Sequence, residues 1–103
     1  MSTKKTADKI LEEMVGPINF GMFVRVCRTS LDLTQVEMAK KLKMARGTLC
    51  DIEKGRQLVS PKLAIKIAKA AGMHERFALE LCLEDHLRKQ KIKYKIKVLE
   101  KEK

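Results

Sequence analysis

A chain of 103 residues, 45% of them apolar, suffices for one domain with a modest core. Its 23 lysines and arginines stand against 13 acids, a formal charge of +10 that favours a polyanionic partner. Three scattered cysteines, Cys27, Cys50 and Cys82, argue against a disulfide framework, and no apolar run suits a signal segment or a membrane span, so a reduced, cytoplasmic protein with no membrane partner is expected.

The charge is unevenly spread. Residues 17–73 carry eleven basic and four acidic groups, residues 74–87 one basic and four acidic, and residues 88–103 eight basic and two acidic. This divides the chain into an N-terminal extension (1–16), a basic central domain (17–73) and a C-terminal helix with a basic tail (74–103).

In the extension, Thr6 can cap a short helix over Ala7 to Val15, with Ile10, Leu11 and Met14 on one side; Gly16-Pro17 ends it. It either pads the core or meets a partner. Next, Phe20, Phe23, Val24, Cys27 and Leu31 recur at i, i+3, i+4, i+7 and i+11, which predicts a helix from about Phe20 to Leu31. Arg25 and Arg28 lie off that face.

The stretch from Leu33 to Gly55 reads as two short amphipathic helices and a tight break. Thr34 is a good N-cap, with Glu37 three residues on as its capping-box partner. Met38, Ala39 and Leu42 mark the buried face of the first helix. The second starts near Ala45 with Leu49 and Ile52 facing in, and Gly55 stands where a helix end favours a left-handed residue. Helices this short need a third element to pack on. A helix-turn-helix supplies that arrangement and leaves the second helix free to enter a DNA major groove.

Ser60-Pro61 is a strong helix start, and the helix it opens runs through Ala71, burying Ala64, Ile67, Ala68 and Ala71 before Gly72 closes it. Another helix is expected from about Glu75 to Lys89. Its first half is apolar nearly all round, which predicts burial both in its own domain and against a second subunit through Phe77 and Leu81. In the tail, Ile92-Lys93-Tyr94-Lys95-Ile96-Lys97-Val98 alternates apolar and lysine with period two, a strand signature. A lone strand has no partner, so pairing with the same strand of a second copy is expected, with Ile92, Tyr94, Ile96 and Val98 in the dimer interface. A helix extension through Ile92, Ile96 and Leu99 and a disordered basic tail are the alternatives.

The sequence resembles the Cro/C1-type (Xre family) helix-turn-helix domain. The matching residues are Leu33-Thr34-Gln35, Glu37, Ala39-Lys40-Lys41-Leu42, Arg46, Thr48, Ile52-Glu53 and Gly55, flanked by Arg25, Arg28, Ile67-Ala68 and Ala71-Gly72. The resemblance, which covers about Phe20 to Met73, implies an all-α, Cro/C1-like fold, to which the periodicity adds an N-terminal helix and a C-terminal helix plus a dimerising strand. It implies double-stranded DNA as partner, with Thr34 and Gln35 against the DNA, Ala45, Arg46, Gly47, Thr48 and Asp51 at base-reading positions, and Lys54 and Arg56 placed for phosphates. Arg46 suits guanine O6 and N7, Thr48 a phosphate or thymine methyl, and Asp51 a cytosine amine. The chain departs from the family at Ala45, where a polar N-cap is usual, at Lys43, where glycine is usual, and at Gly47, which offers no side chain. Asp32 also stands at a common glycine position, and aspartate tolerates the left-handed conformation.

Other chemistry is sparsely represented. Cys82 and His86 have the i, i+4 spacing of a metal pair, but no further ligands are evident and a thiol beside a surface histidine is the simpler reading. No cofactor motif or catalytic constellation is present, so no enzyme, metal or cofactor is expected. Two functions compete: a homodimeric repressor on a pseudo-palindromic operator, and an antitoxin that holds a toxin protein and represses its own operon. A protein-interaction module with weak DNA binding is a third.

Overall fold

The computed structural model describes residues 18–99, so the expected helix over Ala7 to Val15 lies outside the described residues. Five helices follow in order: α1 Phe20–Ser30, α2 Gln35–Leu42, α3 Arg46–Glu53, α4 Pro61–Ala71 and α5 Glu75–Lys89. The starts of α1, α2 and α4 follow from local signals, whereas Ala45 and His74 at the starts of α3 and α5 make no side-chain cap bond. Asn19 Oδ1 accepts from the Met22 N–H, Ser60 Oγ accepts from the Leu63 N–H, and Thr34 and Glu37 exchange both bonds of a capping box.

The ends share one device. After every helix a residue with φ between 58° and 76° turns the chain: Asp32, Lys43, Gly55, Gly72 and Lys91. The following amide reaches back five residues: Leu33 to the Arg28 carbonyl, Met44 to Ala39, Arg56 to Asp51, Met73 to Ala68 and Ile92 to Leu87. These are Schellman ends, which satisfy the last carbonyls of a helix at the expense of one left-handed residue. Glycine makes two of the five turns without strain, while Asp32, Lys43 and Lys91 each adopt a conformation that L-residues disfavour.

The apolar faces meet in one core, to which α1 gives Phe23, Val24 and Cys27, α2 Met38 and Leu42, α3 Leu49 and Ile52, α4 Ile67 and α5 Leu81 and Cys82. Helix α1 packs on α3, α4 and α5; α2 packs on α3; and α4 and α5 form the most extensive pair, with Ala64, Ala68 and Ala78 fully buried where the core closes. The approach of α1 to α3 depends on Gly21. A Cβ there would lie 2.5 Å from the Ile52 carbonyl oxygen and 2.7 Å from that of Glu53.

The tail departs from expectation. Among the described residues there is no strand, and residues 92–99 belong to no regular element. Lys91 turns the chain back along α5, and the Ile96 and Val98 amides donate to Glu84 Oε2 and Glu80 Oε2, each at 2.9 Å. Four residues of helix rise about 6.0 Å and two residues of extended chain about 6.7 Å. Carboxylates at i and i+4 therefore meet alternate amides, and the alternating segment finds its partners on its own helix. The same geometry revises the expected interface. Leu81 is buried in its own core at 7% exposure, and Ile96 and Val98 are half-buried, whereas Phe77, Ile92 and Tyr94 remain exposed.

Candidate nucleic-acid interface

Helix α3 follows α2 across the turn at Lys43 and Met44 and is anchored by the fully buried Leu49 and Ile52. That burial sets its rotation. Arg46 and Gly47 are exposed, and Thr48, Cys50 and Asp51 are half-exposed. Ala45 occupies the N-cap position and makes no side-chain cap bond. A Cβ on Gly47 would meet nothing within 4 Å, so no packing inside the domain requires glycine there.

The other site residues expected from sequence fall into two groups. Lys54 and Arg56 are exposed just beyond α3. Arg56 Nη1 lies 3.7 Å from Asp51 Oδ1, an exposed pair of little energetic weight that compensates the acid on this face. Thr34 and Gln35 are engaged inside the domain. The Thr34 hydroxyl is the α2 cap, and hydrogen bonds from the Thr34 backbone and then its hydroxyl hold the Glu37 carboxyl below its ordinary value. Gln35 is half-buried, and its side-chain amide donates to Glu53 Oε1 at 3.1 Å.

Glu53 is the centre of a network that composition and periodicity do not reveal. Arg28 donates from Nε to Glu53 Oε2 at 2.7 Å, from Nη2 to Oε1 at 3.2 Å and from Nη1 to the Leu33 carbonyl at 3.0 Å. The Arg28 and Glu53 side chains are only 14% and 4% exposed. One carboxylate thus ties α1, the start of α2 and the end of α3 together, which holds the exposed face of α3 in place. Lys66 adds a tie from α4, donating from Nζ to the Leu42 carbonyl at the C-terminus of α2, where a cation is favoured. The sequence signal for these partners was weak, because Arg28 and Lys66 stand off the apolar faces, where cations are ordinarily solvated.

A helix-turn-helix family model matches residues 24–77 of this chain. The chain belongs to the Cro/C1-type helix-turn-helix family. An uncharacterised HTH-type transcriptional regulator of Methanocaldococcus jannaschii is similar to it, with 52% identity over 42 residues, which cover 41% of this chain and 64% of that relative. The chain therefore spans a little less than two thirds of the relative's length. No solved structure gave a significant match. In this Cro/C1-type domain, the match begins at Val24 inside α1 and ends at Phe77 inside α5, so the helix-turn-helix and its supports fall within it while the tail does not.

Cys82 and His86 serve the fold. Cys82 Sγ donates to the Val59 carbonyl at 3.3 Å, and His86 Nε2 lies 2.7 Å from the same oxygen. A carbonyl only accepts, so Nε2 carries the proton. The two side chains hold the buried loop residue Val59 against α5. Among the described residues, no group of three or more His, Cys, Asp or Glu is placed to hold a metal, and no helix is long and apolar enough to cross a membrane.

Proposed function

We propose that the protein is a sequence-specific DNA-binding transcriptional regulator that acts as a homodimeric repressor on a pseudo-palindromic operator. The observation that carries this reading is the rotation of α3: Leu49 and Ile52 are buried while Arg46 and Gly47 face solvent. A short helix anchored on one face and exposed on the other is what major-groove entry needs. Arg46 is the base-reading residue, bidentate to a guanine; Thr48 and Asp51 flank it, Ala45 and Gly47 bring the backbone close, and Lys54 and Arg56 meet phosphates. Thr34 and Gln35 act at the start of α2, where that helix meets the DNA backbone. The naming of the Methanocaldococcus jannaschii relative as an HTH-type transcriptional regulator supports the same role.

Dimerisation brings two α3 helices onto half-sites one helical turn apart. The surface offered for it is a groove of about 660 Å³ between α1 and α5, lined by Ile18, Met22, Val26, Met73, Phe77 and Val98. Val26 and Phe77 are 47% and 43% exposed and share this groove. An antitoxin role would use the same groove for a toxin protein, so the oligomeric state separates the two readings.

The test is binding to the protein's own upstream DNA across a salt series, with Arg46→Ala alongside. The expected result is a complex that survives nonspecific competitor, weakens steeply with salt and loses sequence preference in the variant. Weak binding, indifferent to sequence and unchanged by Arg46→Ala, would overturn the reading. A chain that sediments as a monomer at micromolar concentration would remove the dimer and favour a protein partner in the groove.

A further inference from the structure

Helix α1 carries two apolar rows. Phe20, Phe23, Val24 and Cys27 face the core. Met22 and Val26, at i, i+4, face the groove between α1 and α5 instead, and Val26 is exposed there, as is Phe77 on the opposite wall. A helix that is apolar on two sides needs two neighbours, and the described residues leave the Met22–Val26 row open. Ile18, the first described residue, lines the same groove, so the preceding chain enters at its edge. That chain holds the predicted helix over Ala7 to Val15, with Ile10, Leu11 and Met14 on one side. Residues 16–19 separate it from α1, and antiparallel helix pairs are joined by loops of about 2–5 residues. Counted outward from that loop, Met14 falls level with Met22 and Ile10 with Val26, to within about one residue or 1.5 Å of helix. The charges are complementary too. Residues 7–15 carry Asp8, Glu12 and Glu13 against Lys9, while Arg25, Arg76 and Lys97 rim the groove against Glu80. Among the described residues no ion pair engages those three cations.

We infer that residues 7–15 form a helix that lies antiparallel on α1 and covers the groove of their own chain, so that a second copy reaches this surface only when the segment lifts away. Its consequence for dimerisation rests on the homodimer proposed above. The short connection favours the segment of the same chain over that of another. A tether of this length gives it an effective concentration on the order of millimolar, well above that of a second copy in dilute solution. The covered and open states then share one surface: Met22, Val26 and Phe77 meet Ile10, Leu11 and Met14 in the first and the partner subunit in the second. Dimer formation is thereby coupled to release of the segment.

The chain has no tryptophan, so Leu11→Trp places a single emitter on the apolar side of the segment. In the whole chain its emission should lie to the blue of a solvated indole, at the same wavelength at every protein concentration. Adding Val26→Gln, at an exposed position, should return the emission to the solvated value, and Val26→Leu should not; circular dichroism verifies the fold of each. Sedimentation reads the consequence in Ile10→Gln/Met14→Gln, which removes the apolar side of the segment. With about nine chains in ten covered, opening costs about tenfold in each subunit, so this variant should dimerise about a hundredfold more tightly than wild type. Solvated emission at every concentration, or blue emission indifferent to Val26→Gln, would overturn the inference. Blue emission that develops only as concentration rises would overturn it too, since the groove would then hold the segment of another copy. An unchanged dimer constant in Ile10→Gln/Met14→Gln would overturn the competition. The two readings fail separately. Blue emission at all concentrations in a chain that never dimerises, Ile10→Gln/Met14→Gln included, removes the homodimer and keeps the covering segment. Solvated emission in a chain that dimerises and selects its upstream duplex does the reverse.

Discussion

Arg28 and Glu53 stand 25 residues apart in the chain and meet with Arg28 Nε 2.7 Å from Glu53 Oε2, while Gln35 donates to the same carboxylate from the start of α2. The pair is nearly excluded from water. Removing one partner of such a pair leaves a buried charge uncompensated, which typically destabilises by about 3–5 kcal/mol. Glu53→Ala should therefore cost about that much in urea unfolding. Arg28→Met/Glu53→Leu, which removes both charges and keeps the volume, should recover most of the loss. A cost below about 1 kcal/mol for Glu53→Ala would show that water reaches the pair.

Lys43 has φ 59°, where the family usually has glycine, and its side chain is exposed. The left-handed conformation costs an L-residue about 1–2 kcal/mol, and glycine loses about 0.5–1 kcal/mol of chain entropy on folding. Lys43→Gly should stabilise the domain by about 0.5–1 kcal/mol, read as a higher urea midpoint. The opposite sign would mean that the lysine makes a compensating contact.

Gly47 weakens α3 although no neighbour demands glycine. Gly47→Ala should raise stability by up to about 1 kcal/mol. If the α3 backbone approaches the bases at this point, the same change should weaken binding to the preferred duplex, because the added methyl enters the space the DNA needs. A variant that gains stability and binds unchanged would place the DNA elsewhere along the helix.

The Ile96 and Val98 amides are held by carboxylates of α5 rather than by a second strand. In wild-type protein both amides should exchange with solvent slowly compared with the Lys95 and Lys97 amides. Glu80→Ala/Glu84→Ala should abolish that protection while leaving α1–α4 protected. Protection that persists in the variant and rises with protein concentration would assign these bonds to another chain.

Burial pushes the Cys27 thiol from an ordinary 9.0 up to about 11, against the weaker opposing effect of its backbone hydrogen bond. Burial does the same for Cys82, also to about 11, with Asp85 adding to it. A thiol whose folded pKa is raised favours the native state fully below its unfolded pKa, and that advantage is lost as pH rises from about 9 towards 11. Stability should therefore fall across that range, and less so in Cys27→Ala/Cys82→Ala once each is referenced to its own value at pH 8. In native protein at neutral pH, a thiol reagent should label Cys50, the half-exposed cysteine, well before the other two.

Local signals along the chain were enough for the helices of the described residues, the caps at Thr34 and Ser60 and the motif, but not for the Asn19 cap or the left-handed Lys91. The helix expected from about Phe20 to Leu31, which ends at Ser30, the Thr34–Glu37 capping box, the Ser60-Pro61 start and the span Glu75–Lys89 were readable because spacing, caps and Schellman glycines act over four or five residues. The exposed face of α3 was readable for the same reason, since Leu49 and Ile52 point one way and Arg46 and Gly47 the other. What lies between the elements follows from their packing on one another. The alternation from Ile92 to Val98 signalled an extended chain, but not that glutamates one helical turn apart would take the place of a neighbouring strand. Leu81 looked available for a partner until the packing of α5 on α1 and α4 closed over it. Arg28 and Gln35 read as surface groups, yet both turn inward to Glu53. Each of these outcomes depends on which side chain from a distant part of the chain reaches a buried donor or acceptor, and periodicity along one segment carries no information about that.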